Sequence, residues 1–279
     1  MICWMNGKFV ESTELSVSPT DHGYLYGLGF FETFRTYLNQ PFLWDEHCAR
    51  IQKALEEYRI TMSYTFEELR NVIIELNNRN GHTDGYFRLN ISAGEGGIGL
   101  ANTHYPNPNV IIFRKELQPI SRGQEKNAVW LNTVRNSPEQ EIRYKSHHYA
   151  NNVRARFELP SLKNLEGFFV NAEGCVAEGI TSNIFWVIEN ELYTPSLSTG
   201  ILPGITRQHV MNLANEAGFN IYEGQYTPQD LESADECFLT TSIQELIPIR
   251  GLGEKCFLGN KGAIYRNLHK MYIASIEEG

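Results

Sequence analysis

The chain has 279 residues, 42% hydrophobic, 12% aromatic and 20% charged. That length suits one large domain or two medium ones, and the composition excludes disordered and fibrous classes. Lys and Arg total 24 against 33 Asp and Glu, for a formal charge of -9, which removes the electrostatic attraction that non-specific nucleic-acid binding needs and leaves a small molecule as the expected partner.

The first ten residues carry no basic stretch followed by an apolar run, and no later segment has the length of a membrane span, so the expected location is the cytoplasm, with no membrane partner. Phe9 to Val17 and Tyr24 to Tyr37, rich in β-branched and aromatic residues, flank the turn cluster of Pro19, Asp21 and Gly23 and are predicted as strands. Over Asp45 to Tyr58 the period changes: Ile51, Leu55 and Tyr58 repeat at helical spacing beside Ala54, with Asp45 as the expected N-cap. A second helix is predicted after the capping-box pair Thr65 and Glu68, with Leu69, Val72, Ile73 and Leu76 on its apolar face and Gly81 as its stop. Tyr86 to Ala93 alternates as a strand, Asn102 to Asn109 is a Pro and Asn loop, and Val110 to Phe113 is a short apolar strand.

The polar stretch 118–127, with Pro119 and Gly123, is the expected linker between a smaller N-terminal α/β domain over 1–117 and a larger C-terminal domain over 128–279. Beyond it, hairpin turns are expected at Glu173-Gly174 and Glu189-Asn190. Helices are expected over Thr206 to Ala217 before Gly218, after Thr227 with Pro228 in the first turn, and over Ile264 to Ile276. Strands and helices in both halves, with hairpins in the second, fit α+β or mixed α/β better than a doubly wound parallel sheet.

Several segments could carry chemistry. Gly94-Glu-Gly96-Gly97-Ile-Gly99 formally satisfies G-x-G-x-x-G, but Asn102, Pro106 and Pro108 follow where a dinucleotide site needs a helix, so a flexible or substrate-proximal loop is the better reading. His147 and His148 are neighbours whose side chains diverge in an extended segment, and no metal motif accompanies them; no metal site is expected, although either could line a site. The five cysteines are scattered and never spaced as Cys-x-x-Cys, which points to a reducing compartment. Lys145 lies among Tyr144, His147, His148 and Tyr149, where partial desolvation would lower an amine's pKa and make it nucleophilic toward an aldehyde; an ordinary surface lysine is the alternative. Glu178 leaves an apolar strand just before a polar turn, where it would suit a pyridine nitrogen or simply a sheet edge. Gly204-Ile205-Thr206-Arg207 opens an amphipathic helix whose free N–H groups suit a phosphate, and Thr240-Thr241-Ser242 adds hydroxyls; both also read as a plain helix start and a strand-ending turn.

Taken together these segments resemble the class IV, or fold-type IV, family of pyridoxal-phosphate enzymes. The resemblance covers nearly the whole chain: Asp21-His-Gly23-Tyr-Leu-Tyr-Gly27, Phe31-Glu32-Thr-Phe-Arg35, Asp45-Glu-His47-Cys-Ala-Arg50-Ile51, Lys145-Ser-His-His-Tyr149, Ala177-Glu178-Gly179 to Asn183, Gly204 to Arg207, and Thr241-Ser242 with Glu245 and Pro248. It implies the two-domain fold of that family, with the Schiff-base lysine, Lys145, in the C-terminal domain, and pyridoxal 5'-phosphate as cofactor. It further implies Glu178 as partner of the pyridine nitrogen, Arg50 as a phosphate ligand, and Ile205, Thr206, Thr241 and Ser242 as the rest of the phosphate cradle. A homodimer is implied as well.

Within the family, the run Ser18 to Gly27, the run Lys145 to Asn152, Tyr193 to Gly200 and the glycine-rich loop are similar to aminodeoxychorismate lyases of the Bacillus type. This branch eliminates pyruvate from 4-amino-4-deoxychorismate to give 4-aminobenzoate for folate biosynthesis. A D-amino-acid or branched-chain aminotransferase is the alternative, since Tyr86-Phe-Arg88 is similar to the Tyr-x-Arg of branched-chain enzymes. Phe31, by contrast, departs from the tyrosine of D-amino-acid enzymes. Phe31, Arg88 and His147 are the expected substrate contacts, with a structural ion pair as the other reading of Arg88. A catalytically idle cofactor-binding or regulatory relative is the non-enzyme alternative, disfavoured by the presence of both Lys145 and Glu178.

Overall fold

A computed structural model describes residues 1–100, 104–117 and 120–278. Its contacts divide the chain into two compact units, Met1–Pro119 with Tyr144–His148, and Ile120–Arg143 with Tyr149–Gly279.

The first unit begins with a hairpin, β1 (Ile2–Met5) and β2 (Lys8–Glu11), closed by Asn6 and Gly7, both at positive φ as such two-residue turns require. Only the start of the predicted strand over Phe9 to Val17 is therefore strand. The expected strand from Tyr24 begins instead with a single helical turn, α1 (His22–Leu25), because the Asp21 carboxylate accepts from Gly23 N–H and caps it; β3 (Gly29–Tyr37) follows after Gly27 turns the chain at φ 70. A two-residue strand, β4 (Gln40–Pro41), leads to α2 (Trp44–Glu57). Asp45 is not its N-cap: the helix starts after Leu43, which is left-handed and offers no side-chain cap, so Asp45 and Glu46 lie in the first turn and act through the helix dipole. The capping box of Thr65 and Glu68 does open α3 (Phe66–Arg79).

The hairpin-like pair β5 (Gly85–Ser92) and β6 (Asn109–Glu116) completes a six-stranded antiparallel sheet in the order β2-β1-β6-β5-β3-β4. Asn102 and Thr103 of the predicted loop, with Ala101 before it, lie outside the described residues. Along β3 the alternation sends Phe30, Glu32 and Phe34 to one face, where Phe30 and Phe34 pack with Ile51, Leu55, Leu69 and Ile73 of the two helices, and Phe31, Thr33 and Arg35 to the other.

The second unit holds β7 (Lys126–Trp130), α4 (Ala150–Arg156), β8 (Leu165–Val170), β9 (Val176–Gly179), β10 (Asn183–Ile188), β11 (Glu191–Pro195), α5 (Ile205–Glu216) and β12 (Ile221–Gly224). It continues with α6 (Pro228–Glu232), β13 (Glu236–Thr241), β14 (Glu245–Leu252), β15 (Lys255–Cys256) and α7 (Ala263–Glu278). The sheet runs β12-β11-β10-β13-β14-β7-β8-β9 with β15 beside β14, and mixes antiparallel hairpins with parallel pairs at β11/β12, β14/β7 and β7/β8. Both expected turns are there. Glu189 and Asn190 are left-handed, and Gly174 closes the turn from β8 to β9. Phe168, Val176, Trp186, Cys237, Leu239 and Ile249 form the main core of this unit.

The architecture is mixed α/β, as the pattern predicts. Of the expected linker, 118 and 119 lie outside the described residues, and β7 begins at Lys126, before the linker's expected end. Tyr144–His148, with Lys145, belongs to the first unit rather than to the unit that surrounds it in sequence. The cause is backbone pairing: Phe31 N–H donates to the Lys145 carbonyl, His147 N–H to the Gly29 carbonyl, and Phe30 bridges Ser146. No helix of the described residues is long and apolar enough to cross a membrane.

Candidate active site

The expected site residues fall into two sets. Lys145, Arg50, Phe31, Arg88 and His147 belong to the first unit, and Glu178, Ile205, Thr206, Thr241 and Ser242 to the second.

On the helix-facing side of β3, Glu32 meets two residues of α2. His47 and Arg50 are three apart, so they share a helix face. Arg50 grips the carboxylate with both arms of its fork, Nε to Oε1 at 2.8 Å and Nη2 to Oε2 at 2.5 Å, while His47 Nδ1 lies 2.6 Å from Oε2. Burial alone would raise the Glu32 carboxyl, but the charge of Arg50 and the attraction and hydrogen bonds of His47 and Arg50 outweigh it and hold the pKa to about 2. Burial lowers His47 despite the pull of Glu32, assisted by Arg50 and Lys145. His47 is then neutral, with Nδ1–H donating to the carboxylate. Arg50, expected as a phosphate ligand, is held in one orientation by this pair.

On the opposite face of β3, the register sets Phe31 across from Asn90 and Thr33 across from Arg88. The Arg88 guanidinium lies 3.5 Å over the centre of the Phe31 ring, the Lys145 ammonium 4.8 Å from the same centre, and the His147 ring is roughly parallel to Phe31 at 6.3 Å. Arg88 Nε and Nη2 each lie 3.2 Å from Asn90 Oδ1, and His147 Nε2 lies 3.0 Å from that same oxygen. Burial first, then the Arg88 charge, pushes His147 down to about 4, so the ring is neutral near pH 7. His148 diverges, with Nε2 3.3 Å from the Tyr26 carbonyl. The glycine-rich loop is tied down in this unit as well: His22 Nε2 reaches the Gly97 carbonyl at 3.1 Å, and Gly99 N–H donates to the Tyr26 hydroxyl at 2.6 Å.

In the second unit, every oxygen of Glu178 has partners. Arg135 donates to Oε1 through Nε at 2.9 Å and Nη2 at 2.8 Å, while Asn183 and the Leu202 N–H donate to Oε2 at 3.3 and 3.0 Å. Arg135 is in turn held by the side-chain oxygens of Asn151 and Asn152 at the start of α4. Asn183 also donates to the Leu202 carbonyl and lies against Gly204, where a Cβ would collide with its Oδ1. Gly204 is thus required by close approach, and it leaves the N-terminus of α5 with no side-chain cap, so the first N–H groups, those of Ile205 and Thr206 among them, keep their donor capacity. Thr206 and Ser242 hydroxyls approach to 3.3 Å, which brings the start of α5 to the loop after β13. Thr241 Oγ1 accepts from Ile243 and Gln244 N–H and shapes that loop.

In each unit the sequence points to the ends of the network and not to its middle. Glu32, His47, Asn151, Asn152 and Asn183 appear in the resembling motifs without a role. Helical spacing alone would have paired His47 with Arg50. Arg135 and Asn90 carry no local signal, because an arginine outside any helix or strand and an asparagine in a strand read as ordinary polar residues.

The profile of the family described as Amino-transferase class IV matches residues 29–252. Aminodeoxychorismate lyase of Bacillus subtilis is 38% identical over 98% of this chain and 94% of its own length. D-alanine aminotransferase of Bacillus licheniformis is 31% identical over 97% of this chain and 95% of its own. Among solved structures, the branched-chain aminotransferase of the archaeon Thermoproteus uzoniensis aligns with a TM-score of 0.89 at 27% identity, covering 99% of this chain and 94% of its own.

Proposed function

We propose that this chain, which belongs to the class IV aminotransferase family, is a pyridoxal-phosphate-dependent 4-amino-4-deoxychorismate lyase, working as a homodimer in the cytoplasm to supply 4-aminobenzoate. The observation that carries the reading is the 38% identity, over nearly the full length of both chains, with a protein named as that lyase.

The family depends on pyridoxal 5'-phosphate, and the donor chemistry of this chain fits it. Lys145 supplies an amine for the aldehyde. Glu178, ion-paired with Arg135, supplies a carboxylate for the pyridine nitrogen. The uncapped start of α5, with Thr206, Thr241 and Ser242, supplies neutral donors for a phosphate, and Arg50 a charged one. When bound, the cofactor supplies an electron sink that stabilises negative charge beside the substrate nitrogen.

The protein's own groups do the rest. Arg135, Asn183 and the Leu202 N–H hold the Glu178 side chain in one rotamer. Glu32 holds Arg50 in the same way. Arg88, stacked on Phe31, pairs with a substrate carboxylate. The Lys145 amine removes the proton at ring C4 of aminodeoxychorismate, the bond from ring C3 to the ether oxygen breaks, and the proton returns to the methylene carbon of the departing pyruvate. The ring left behind is aromatic, which makes the elimination favourable.

A second reading, an aminotransferase, is favoured by the 31% identity to a D-alanine aminotransferase and by the likeness to a branched-chain one. It shares the cofactor apparatus and differs in where the proton goes and in whether an amino group passes to a keto acid. Measuring 4-aminobenzoate release from aminodeoxychorismate beside keto-acid-dependent transfer from D-alanine and leucine separates the two. Lyase activity lost in Lys145→Ala is the expected result; robust transfer without aminobenzoate refutes the proposal.

A further inference from the structure

We propose that Asn90 is a positioning residue that converts Arg88 from a flexible cation into a fixed carboxylate receptor and couples it to His147, so that one amide oxygen sets the site's selectivity for anionic substrates. This rests on Arg88 being the substrate-carboxylate ligand of the reading above.

Asn90 lies on β5, which is hydrogen-bonded to β3 on one side and β6 on the other, so its backbone is among the most constrained in the unit. Its Oδ1 receives Arg88 Nε and Nη2, both at 3.2 Å, and His147 Nε2 at 3.0 Å. A guanidinium only donates, so the atom facing it must be the amide oxygen, and the orientation of the Asn90 amide is decided. The same oxygen then faces Nε2, which must carry the proton of the neutral His147 ring. Three donors converge on one acceptor. The His147 ring is held from its other side too, because it lies over Gly29, where a Cβ would overlap it, and the backbone N–H of His147 donates to the Gly29 carbonyl.

The consequence for binding is physical. An arginine side chain that is mobile before binding loses its rotamer freedom when it pairs with a carboxylate, whereas one already stacked on Phe31 and pinned at its Nε–Nη2 edge loses little. Neutral His147 adds no positive charge of its own beside it, so the charge that Asn90 orients here is that of Arg88.

The test uses KM and kcat of the cofactor-loaded enzyme with whichever carboxylate substrate it turns over, aminodeoxychorismate or D-alanine, together with an NMR titration of the His147 ring in the protein as purified. Asn90→Leu keeps the volume and removes the acceptor; KM rises about tenfold and kcat changes little. Asn90→Asp keeps the acceptor but places a negative charge against Arg88; KM rises about a hundredfold, and the His147 titration moves upward because a carboxylate favours the imidazolium. In an Arg88→Gln background, where KM is already raised, Asn90→Leu adds no further rise, since a residue acting through Arg88 has nothing left to act on.

An unchanged KM in Arg88→Gln refutes the carboxylate-ligand reading, and the present inference falls with it. A raised KM in Arg88→Gln with normal values in Asn90→Leu overturns this inference alone, as do fully additive effects in the double variant. If Asn90→Leu does not fold, Asn90→Asp decides: an unmoved His147 titration or an unchanged KM overturns the proposal.

Discussion

Replacing Glu32 by Gln tests whether charge, rather than shape, holds Arg50 in place. In the native fold the Glu32 carboxyl, 1% exposed, titrates at about 2 instead of its ordinary 4.5. That depression corresponds to about 3 kcal/mol of stability contributed by the ionised carboxylate. Because the folded pKa lies below the unfolded one, the contribution is fully present above pH 4.5 and is lost as the pH falls from 4.5 toward 2. Glu32→Gln keeps the shape and removes the charge, leaving Arg50 and His47 with a neutral partner. It is therefore less stable than the native chain by about 3 kcal/mol at pH 7, and the gap closes as the native chain itself becomes protonated. Amide hydrogen exchange along β3 and α2, measured between pH 7 and pH 2.5, reports the first unit alone. A gap that stays constant across that range would refute the electrostatic account and leave packing as the cause.

Two further perturbations probe the second unit. Arg135→Leu removes one partner of a pair in which both side chains are about 5% exposed, so it costs about 3–5 kcal/mol, and adding Glu178→Leu recovers part of the loss. Urea unfolding of the single and double variants checks this, and a double variant no more stable than the single contradicts it. Gly204→Ala brings a Cβ against Asn183 Oδ1 and is expected to cost about 1–3 kcal/mol while weakening retention of the cofactor. Thermal unfolding with and without added pyridoxal phosphate reads both effects, and an unaffected variant would show that the approach of Asn183 to Gly204 is slack.

Much of the fold was legible because it is local. The capping box at Thr65, the helix start at Pro228 after Thr227, the helical repeat around Ile51 and Leu55, and the Glu189-Asn190 turn each depend on residues within a few positions of one another. Expectations failed where a short-range competitor was present. Asp21 caps a helical turn inside an apparent strand, and Leu43 takes a left-handed conformation that displaces Asp45 from the cap.

The sequence by itself determined the chemical parts: a lysine, a carboxylate, a helix start at Gly204-Ile205-Thr206, the hydroxyls of Thr241 and Ser242, and the ordered motifs that resemble one enzyme family. Only the tertiary structure decided how those parts are held. Arg135 reaches Glu178 across 43 positions, His47 and Arg50 reach Glu32 across 15 and 18, and His147 reaches Asn90 across 57. A charge-assisted hydrogen bond depends on distance in space, and a pKa on burial as well, and neither quantity is written in local composition. For the same reason Lys145 joins the first unit: backbone pairing with β3 outweighs its position in the chain.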